Sequence, residues 1–327
     1  MEKRILGRTG RSVGVIGLGA WQLGADWGQV DEKDALATLH AALESGVDFI
    51  DTADVYGDGR SEQIIGKLLR ENREPLTVAT KMGRRLPQEP ENYNAANFRA
   101  WTDRSRRNLG VERLDLVQLH CPPDPVFASD EVFDALDALV AADSIAAYGV
   151  SVETCEQALA AIRRPNVASI QIIFNAFRMK PLEEVLPAAT EAGVGIIARV
   201  PLASGLLSGR YSAQTVFGED DHRNYNRRGE AFDVGETFSG VDFQTGLEAV
   251  ERLRPLVPAP DATLAQFALR WIIDHPAVSV VIPGARNALQ ARANAAAASL
   301  SPSSPDVHKA VQEVYDELIR PQVHTRW

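Results

Sequence analysis

Val47-Asp48-Phe49-Ile50-Asp51 is a short apolar run that closes on a carboxylate. The construction recurs downstream. Leu76-Thr77-Val78-Ala79-Thr80-Lys81 closes on an ammonium, and Leu114-Asp115-Leu116-Val117-Gln118-Leu119-His120 closes on an imidazole. Runs of this length and composition read as β-strands. Strands that end in ionisable groups, with helix-like stretches between them, describe a parallel sheet whose chemistry collects at one edge.

Working outward, strand-like runs lie at 13–18, 47–51, 76–81, 115–120, 146–151, 168–174, 195–200 and 278–283. Helix-like runs lie between them, at 31–44, 61–70, 97–109, 129–142, 154–162, 182–192, 263–274 and 287–298. The first shows the pattern clearly: acidic residues open it, and Ala35, Leu36, Leu39 and Leu43 mark one apolar face. Eight strand–helix units predict a (β/α)8 TIM barrel, an α/β fold, with the chain 1–327 as one domain. Gly7 and Gly10 between two short apolar pieces predict an N-terminal hairpin over residues 3–14. Residues 305–319 read as an extra C-terminal helix. Residues 201–245 are rich in Gly, Arg, Asp and Asn and lack periodicity. They predict a long loop after the seventh strand, hanging over the active face near substrate or cofactor.

The chain has 327 residues, 45% hydrophobic and 24% charged, which is ordinary globular composition. A net charge of −10 offers no basic field for phosphodiesters and argues against a nucleic-acid partner. No apolar run approaches a membrane span. Met1-Glu2-Lys3-Arg4-Ile5-Leu6-Gly7 has no signal-peptide core. The two cysteines, Cys121 and Cys155, make no disulfide framework, so the cytoplasm is the expected compartment. Neither an HxxxH nor a CxxC spacing occurs, and no metal site is expected.

Asp51, Tyr56, Lys81 and His120 all fall at, or just past, strand ends on the same face. A tyrosine normally ionises near pH 10, so an acid role at neutral pH calls for a neighbouring cation that favours the phenolate. Lys81 is expected on the strand beside that of Asp51, with Asp51 holding it in place. His120, from the next strand, is placed to hydrogen-bond a carbonyl oxygen. Taken singly, Tyr56 is better read as a structural turn residue, Asp51 as a cap, His120 as a satisfied polar group and Asp51–Lys81 as a structural ion pair. Together on consecutive strand ends they favour catalysis, and Lys81 is one of only six lysines against 28 arginines. A proton-donating, carbonyl-polarising site needs a hydride donor to reduce anything, which implies a nicotinamide cofactor. Two other dehydrogenase designs fail. Gly17-Leu18-Gly19-Ala20-Trp21-Gln22 lacks the third glycine of a Rossmann fingerprint, and Arg60 stands four residues after Tyr56 where a Tyr-x-x-x-Lys pair needs lysine.

The stretch Gly46-Val47-Asp48-Phe49-Ile50-Asp51-Thr52-Ala53-Asp54-Val55-Tyr56-Gly57-Asp58-Gly59-Arg60-Ser61-Glu62 resembles the signature of the aldo-keto reductase superfamily. The resemblance extends over essentially the whole chain, in the branch that includes the potassium-channel β subunits. It implies that Asp51, Tyr56, Lys81 and His120 form the catalytic tetrad. Gly149-Val150-Ser151-Val152 resembles a Gly-Val/Ile-Ser-Asn element, with Ser151 on the nicotinamide carboxamide and Val152 where the family has Asn. Gln171 and Asn175 resemble Gln-x-x-Tyr-Asn, with Gln171 also on the carboxamide. Arg199-Val200-Pro201-Leu202-Ala203-Ser204-Gly205-Leu206-Leu207-Ser208-Gly209 resembles Tyr-Ser-Pro-Leu-x-x-Gly-Leu-Leu-x-Gly. It implies Arg199 stacking in place of Tyr, and Pro201, Leu202, Gly205, Leu207 and Gly209 along the cofactor. Gly19 and Trp21 join this cofactor set. Ile282-Pro283-Gly284-Ala285-Arg286 opens the last barrel helix, whose N–H groups favour an anion. Gly284 and Arg286 there, with Arg286 on the adenosine 2′-phosphate, imply NADPH in preference to NADH. Gln290 and Asn294 match the Gln-x-x-x-Asn that holds the adenine end.

For the substrate, Trp21 is expected at the pocket rim with Tyr56 and His120. Trp27, counted with them as a substrate residue, and Tyr93 lie in other loops of the same face, and each reads equally as an ordinary packed or surface aromatic. The expected activity is reduction of an aldehyde or ketone by NADPH, of alcohol:NADP+ oxidoreductase type, with Tyr56 as proton donor. The alternatives are a slow-turnover, redox-sensing regulatory subunit and a barrel lyase or isomerase without redox chemistry. Substrate identity and the choice between monomer and homo-oligomer lie in loops and surfaces that the pattern does not reach.

Overall fold

The computed structural model describes every residue except 25–29 and 259. Strands β1 (Lys3–Ile5) and β2 (Ser12–Gly14) pair antiparallel as the expected hairpin. Eight further strands form a parallel sheet in simple sequence order: β3 (Leu18–Gly19), β4 (Phe49–Asp51), β5 (Thr77–Met82), β6 (Leu116–His120), β7 (Tyr148–Ser151), β8 (Val167–Ile173), β9 (Gly195–Arg199) and β10 (Val278–Val281). Parallel bridges Ile16–Val281 and Gly19–Gly284 bring the last strand back to the first, so the sheet curls into a barrel. The strand expected over 13–18 is therefore two pieces: Val13 belongs to the hairpin, and only Leu18–Gly19 is laddered to β4.

Strand periodicity stacks the barrel interior. Phe49, Ala79, Leu116, Ile197 and Val280 point inward and form one apolar cluster with Leu6 and Val13 of the hairpin. Two positions further along the same strands the inward residues are Asp51, Lys81, Gln118 and Arg199, so the polar layer sits directly on the apolar one. The hairpin plugs the opposite end. Arg4 donates to the carbonyls of Ile273, His275 and Val278, and Arg8 to those of Arg164, Pro165, Val167 and Ala192. Gly7 makes this approach possible: its φ is 47°, and a Cβ there would stand 2.0 Å from the Gly195 nitrogen.

The helices begin where cap chemistry predicts. Asp31 caps α1 (Glu32–Glu44), and α2 (Arg60–Glu71) follows. Asn94 caps α3 (Ala95–Leu109); α4 (Asp124–Ala128) is one short turn, and Ser129 caps α5 (Asp130–Ala141). Thr154 and Gln157 form a capping box on α6 (Cys155–Ile162). Then come α7 (Val185–Ala192), α8 (His222–Tyr225) and α9 (Phe243–Leu253). Thr263 and Gln266 cap α10 (Leu264–Ile273), and α11 (Ala288–Ala296) opens at Asn287. The C-terminal extension is α12 (Pro305–Val314), continued by a π turn at Tyr315–Ile319 and α13 (Arg320–Val323). Helix α9 was not expected, and it buries Phe243, Ala249, Val250 and Leu253. No described helix is long and apolar enough to cross a membrane.

Candidate active site

The pairing of β4 with β5 and of β5 with β6 sets Asp51, Lys81 and His120 on neighbouring strand ends. Lys81 and Asp51 are buried. Lys81 Nζ donates to Asp51 Oδ2 at 2.5 Å and to the Thr52 carbonyl at 2.8 Å, and lies 3.3 Å from the Tyr56 hydroxyl. Asp51 Oδ1 accepts from Gln171 Nε2 at 2.7 Å and Gln118 Nε2 at 3.1 Å. Both carboxylate oxygens are thus engaged, the condition under which a buried ion pair is tolerated. Burial alone pulls the Lys81 ammonium down, but Asp51 and Tyr56 outweigh it and hold its pKa above the ordinary value.

Tyr56 rides on a left-handed turn, with Gly57 at φ 56° and Asp58 at φ 50°. Asp58 pins that turn by accepting from Arg85 and Arg104, each at 2.8 Å. Trp21 stacks on the Tyr56 ring at 6.1 Å and His120 meets it edge-on at 6.0 Å. The expected lowering of the Tyr56 pKa does not hold here. Burial raises it and exceeds the pull of Lys81, so the phenol keeps its proton. His120 is displaced the other way. Burial first, then the cations of Arg84, Lys81 and Arg199, push its pKa well below 6.5, so the imidazole is neutral at pH 7. Its Nδ1 is buried without a hydrogen-bond partner.

A cavity of about 550 Å³ opens above these groups. Asp51, Tyr56, Trp21, Gln171 and Arg199 border it, as do Gly19, Pro201, Leu202, Gly205, Gly284, Arg286, Gln290 and Asn294. Eleven of the fourteen residues expected to hold cofactor therefore face one space. Three do not. Ser151 is buried, its Oγ 3.5 Å from Cys121 Sγ; the Leu207 side chain is fully buried in the core; and the Gly209 carbonyl faces Arg254. Asn175 is a structural tie, donating to the Val200 carbonyl and to Ser239 while accepting from the Phe177 amide. Gln290 accepts from the Arg286 amide at 2.8 Å and Asn294 donates to the Gly284 carbonyl at 3.1 Å, so both brace the turn that carries Arg286. Tyr93 is buried against Phe98, and Cys121 is a buried thiol whose pKa is raised by that burial. Trp27 lies outside the described residues.

Several polar groups at the site have no local sequence signal. Gln118 is the exception, since it precedes His120 by one strand period. Arg223 reaches the cavity from α8 and packs on the Phe217 ring at 4.6 Å. Arg199 donates to the Val152 carbonyl at 3.0 Å, and its other terminal nitrogen lies 3.3 Å from Glu236 Oε1. Arg84 stands 3.4 Å from Glu153 and 3.8 Å from Glu236. Cys121, Glu153 and Glu236 bring their ligand atoms within 4.8 Å of one another, but these two guanidinium groups already stand against the carboxylates.

The aldo/keto reductase family profile matches residues 15–316. Aldo-keto reductase YhdN of Bacillus subtilis is 32% identical over 292 residues, covering 88% of this chain and 85% of the relative. A probable voltage-gated potassium channel subunit beta of Arabidopsis thaliana is 29% identical over 332 residues, covering 96% of each. The solved structure of a glycerol dehydrogenase from Gluconobacter oxydans superposes with a TM-score of 0.78 at 30% identity, covering 98% of this chain and 96% of that one. With the barrel, the strand-end cluster and the matched span in agreement, this chain belongs to the aldo/keto reductase family of oxidoreductases.

Proposed function

We propose that the protein is an NADPH-dependent reductase of aldehydes or ketones, with Tyr56 as proton donor. The observation that carries this reading is the Asp51–Lys81–Tyr56 chain of contacts at the wall of a cavity large enough for a dinucleotide arm. The cavity suits that cofactor. Arg210, Arg223 and Arg286 border the cavity, cations that suit phosphates, and Gly284 presents backbone there, where a Cβ would stand 2.1 Å from the Gln22 side chain. Gln171, Arg199, Pro201, Leu202 and Gly205 would hold the nicotinamide half, and Arg286, Gln290 and Asn294 the adenosine half. The whole chain acts as one barrel unit, with residues 201–245 as its cofactor loop.

Bound NADPH supplies the hydride to the carbonyl carbon. The neutral phenol of Tyr56 gives its proton to the carbonyl oxygen, and Lys81 steadies the phenolate that results. Asp51, held by Gln171 and Gln118, fixes the ammonium where that charge develops. Neutral His120 donates a hydrogen bond to the carbonyl oxygen and orients it. The test is NADPH oxidation followed at 340 nm with a panel of neutral aldehydes. Tyr56→Phe should lower kcat by about 10²–10⁴-fold with NADPH affinity retained. Equal rates for the parent and Tyr56→Phe would remove Tyr56 as the acid. A parent turnover far below about 1 per second on every aldehyde would instead favour the regulatory-subunit reading that the plant channel relative suggests.

A further inference from the structure

Glu236 comes from the long loop after β9 and borders the same cavity as Tyr56. Four contacts fix the position of its segment. The hydroxyl of Ser204 donates to the Glu236 carbonyl at 2.9 Å and accepts from the Phe238 amide at 3.0 Å. Trp327 donates from Nε1 to the Asp233 carboxylate at 3.0 Å, while Arg178 lies 3.7 Å over the indole ring. The segment that carries Glu236 is therefore clamped from both sides. Its shortest contacts to Arg84 and Arg199 are both made through Oε1, and no hydrogen bond in the described structure engages Oε2. Arg84 also faces Glu153, and Arg199 also donates to the Val152 carbonyl. Arg84 Nε and Arg199 Nε are buried donors without partners on the same wall, and Glu236, which borders the cavity, keeps one unengaged acceptor oxygen there.

We propose that Glu236 sets substrate selection: Oε2 receives a hydroxyl of a neutral hydroxyaldehyde or hydroxyketone, and its charge screens Arg84 and Arg199 from carbonyl compounds that bear a carboxylate. This rests on the reductase reading above. A site that hydrogen-bonds a substrate hydroxyl loses that contact, and leaves its own acceptor unpaired, when the hydroxyl is missing. Removing the Glu236 charge would leave the Arg199 guanidinium, which borders the cavity, without its carboxylate and Arg84 with Glu153 alone, a net gain of positive charge that fits an anion.

The experiment measures kcat/KM with NADPH for glyceraldehyde, propanal and glyoxylate in the parent, Glu236→Ala and Glu236→Gln. The glyceraldehyde-to-propanal ratio should fall about 10- to 100-fold in Glu236→Ala. Glu236→Gln keeps an acceptor oxygen without charge, so that ratio should fall less. The glyoxylate-to-glyceraldehyde ratio should rise roughly tenfold or more in both variants. Should Glu236→Ala not fold, Glu236→Gln decides alone through the glyoxylate ratio. Unchanged ratios in active variants, or a parallel loss on all three aldehydes, overturn the proposal and leave the reductase reading standing. A parent that oxidises NADPH with none of the three removes both.

Discussion

Asp54 offers a quantitative test of the ground beneath the turn that carries Tyr56. It lies between Asp51 and Tyr56, is fully buried, and neither carboxyl oxygen has a hydrogen-bond partner. Arg85 and Arg104 come close but donate to its backbone carbonyl. Buried Glu62 is committed to Thr80 and Asn108 and adds a like charge. Burial first, then Glu62, raises the Asp54 pKa from 3.8 to about 7. That rise corresponds to roughly 4 kcal/mol of preference for the protonated acid. Between these two values the folded chain keeps a proton that the unfolded chain has released. Stability from this group is complete below about pH 4 and is lost as pH rises through about 7, by roughly 1.4 kcal/mol per pH unit. Asp54→Asn is neutral at every pH and removes the slope. Urea unfolding of both proteins from pH 4 to 8, read by tryptophan fluorescence, should show the variant gaining up to about 4 kcal/mol on the parent. A flat difference, or a variant that loses ground as pH rises, would mean that Asp54 is ionised and paired, and the argument would fail.

Two further outcomes follow from geometry. Gly57→Ala places a Cβ 2.1 Å from the Gly24 carbonyl oxygen at a φ of 56°, so the turn that carries Tyr56 cannot form as it stands. The variant should lose at least about 2 kcal/mol of stability by urea titration, together with most of its activity, and a fully active variant would contradict the tight approach. Arg286 is half-exposed, borders the cavity and lies 4.0 Å from Asp221. Arg286→Ala should weaken NADPH binding by about 10-fold or more and NADH binding far less, measured by fluorescence titration; equal losses for both would remove the 2′-phosphate role.

Much of this protein was legible in the chain because strand chemistry is local. A period of two puts Asp51 above Phe49 and Lys81 above Ala79, and short apolar runs in sequence order leave one economical parallel topology. The strand-end residues, the signature around Tyr56 and the arm from Gly284 to Asn294 needed no coordinates to be singled out. What the chain order does not encode is which charge meets which. Arg84, Glu153, Arg199 and Glu236 come from four separate segments, and only barrel closure brings them together. Leu207 and Gly209 sit in a matching motif, yet the turn at Ser204 and Gly205 carries them off the cavity wall. The sign of the Tyr56 pKa shift is the clearest case. The neighbouring ammonium could be expected from sequence, but the burial that outweighs it depends on how Trp21, His120 and the long loop close over the ring. Local pattern determined which side chains are available; desolvation and long-range pairing, properties of the closed barrel alone, decided their charge states and their partners.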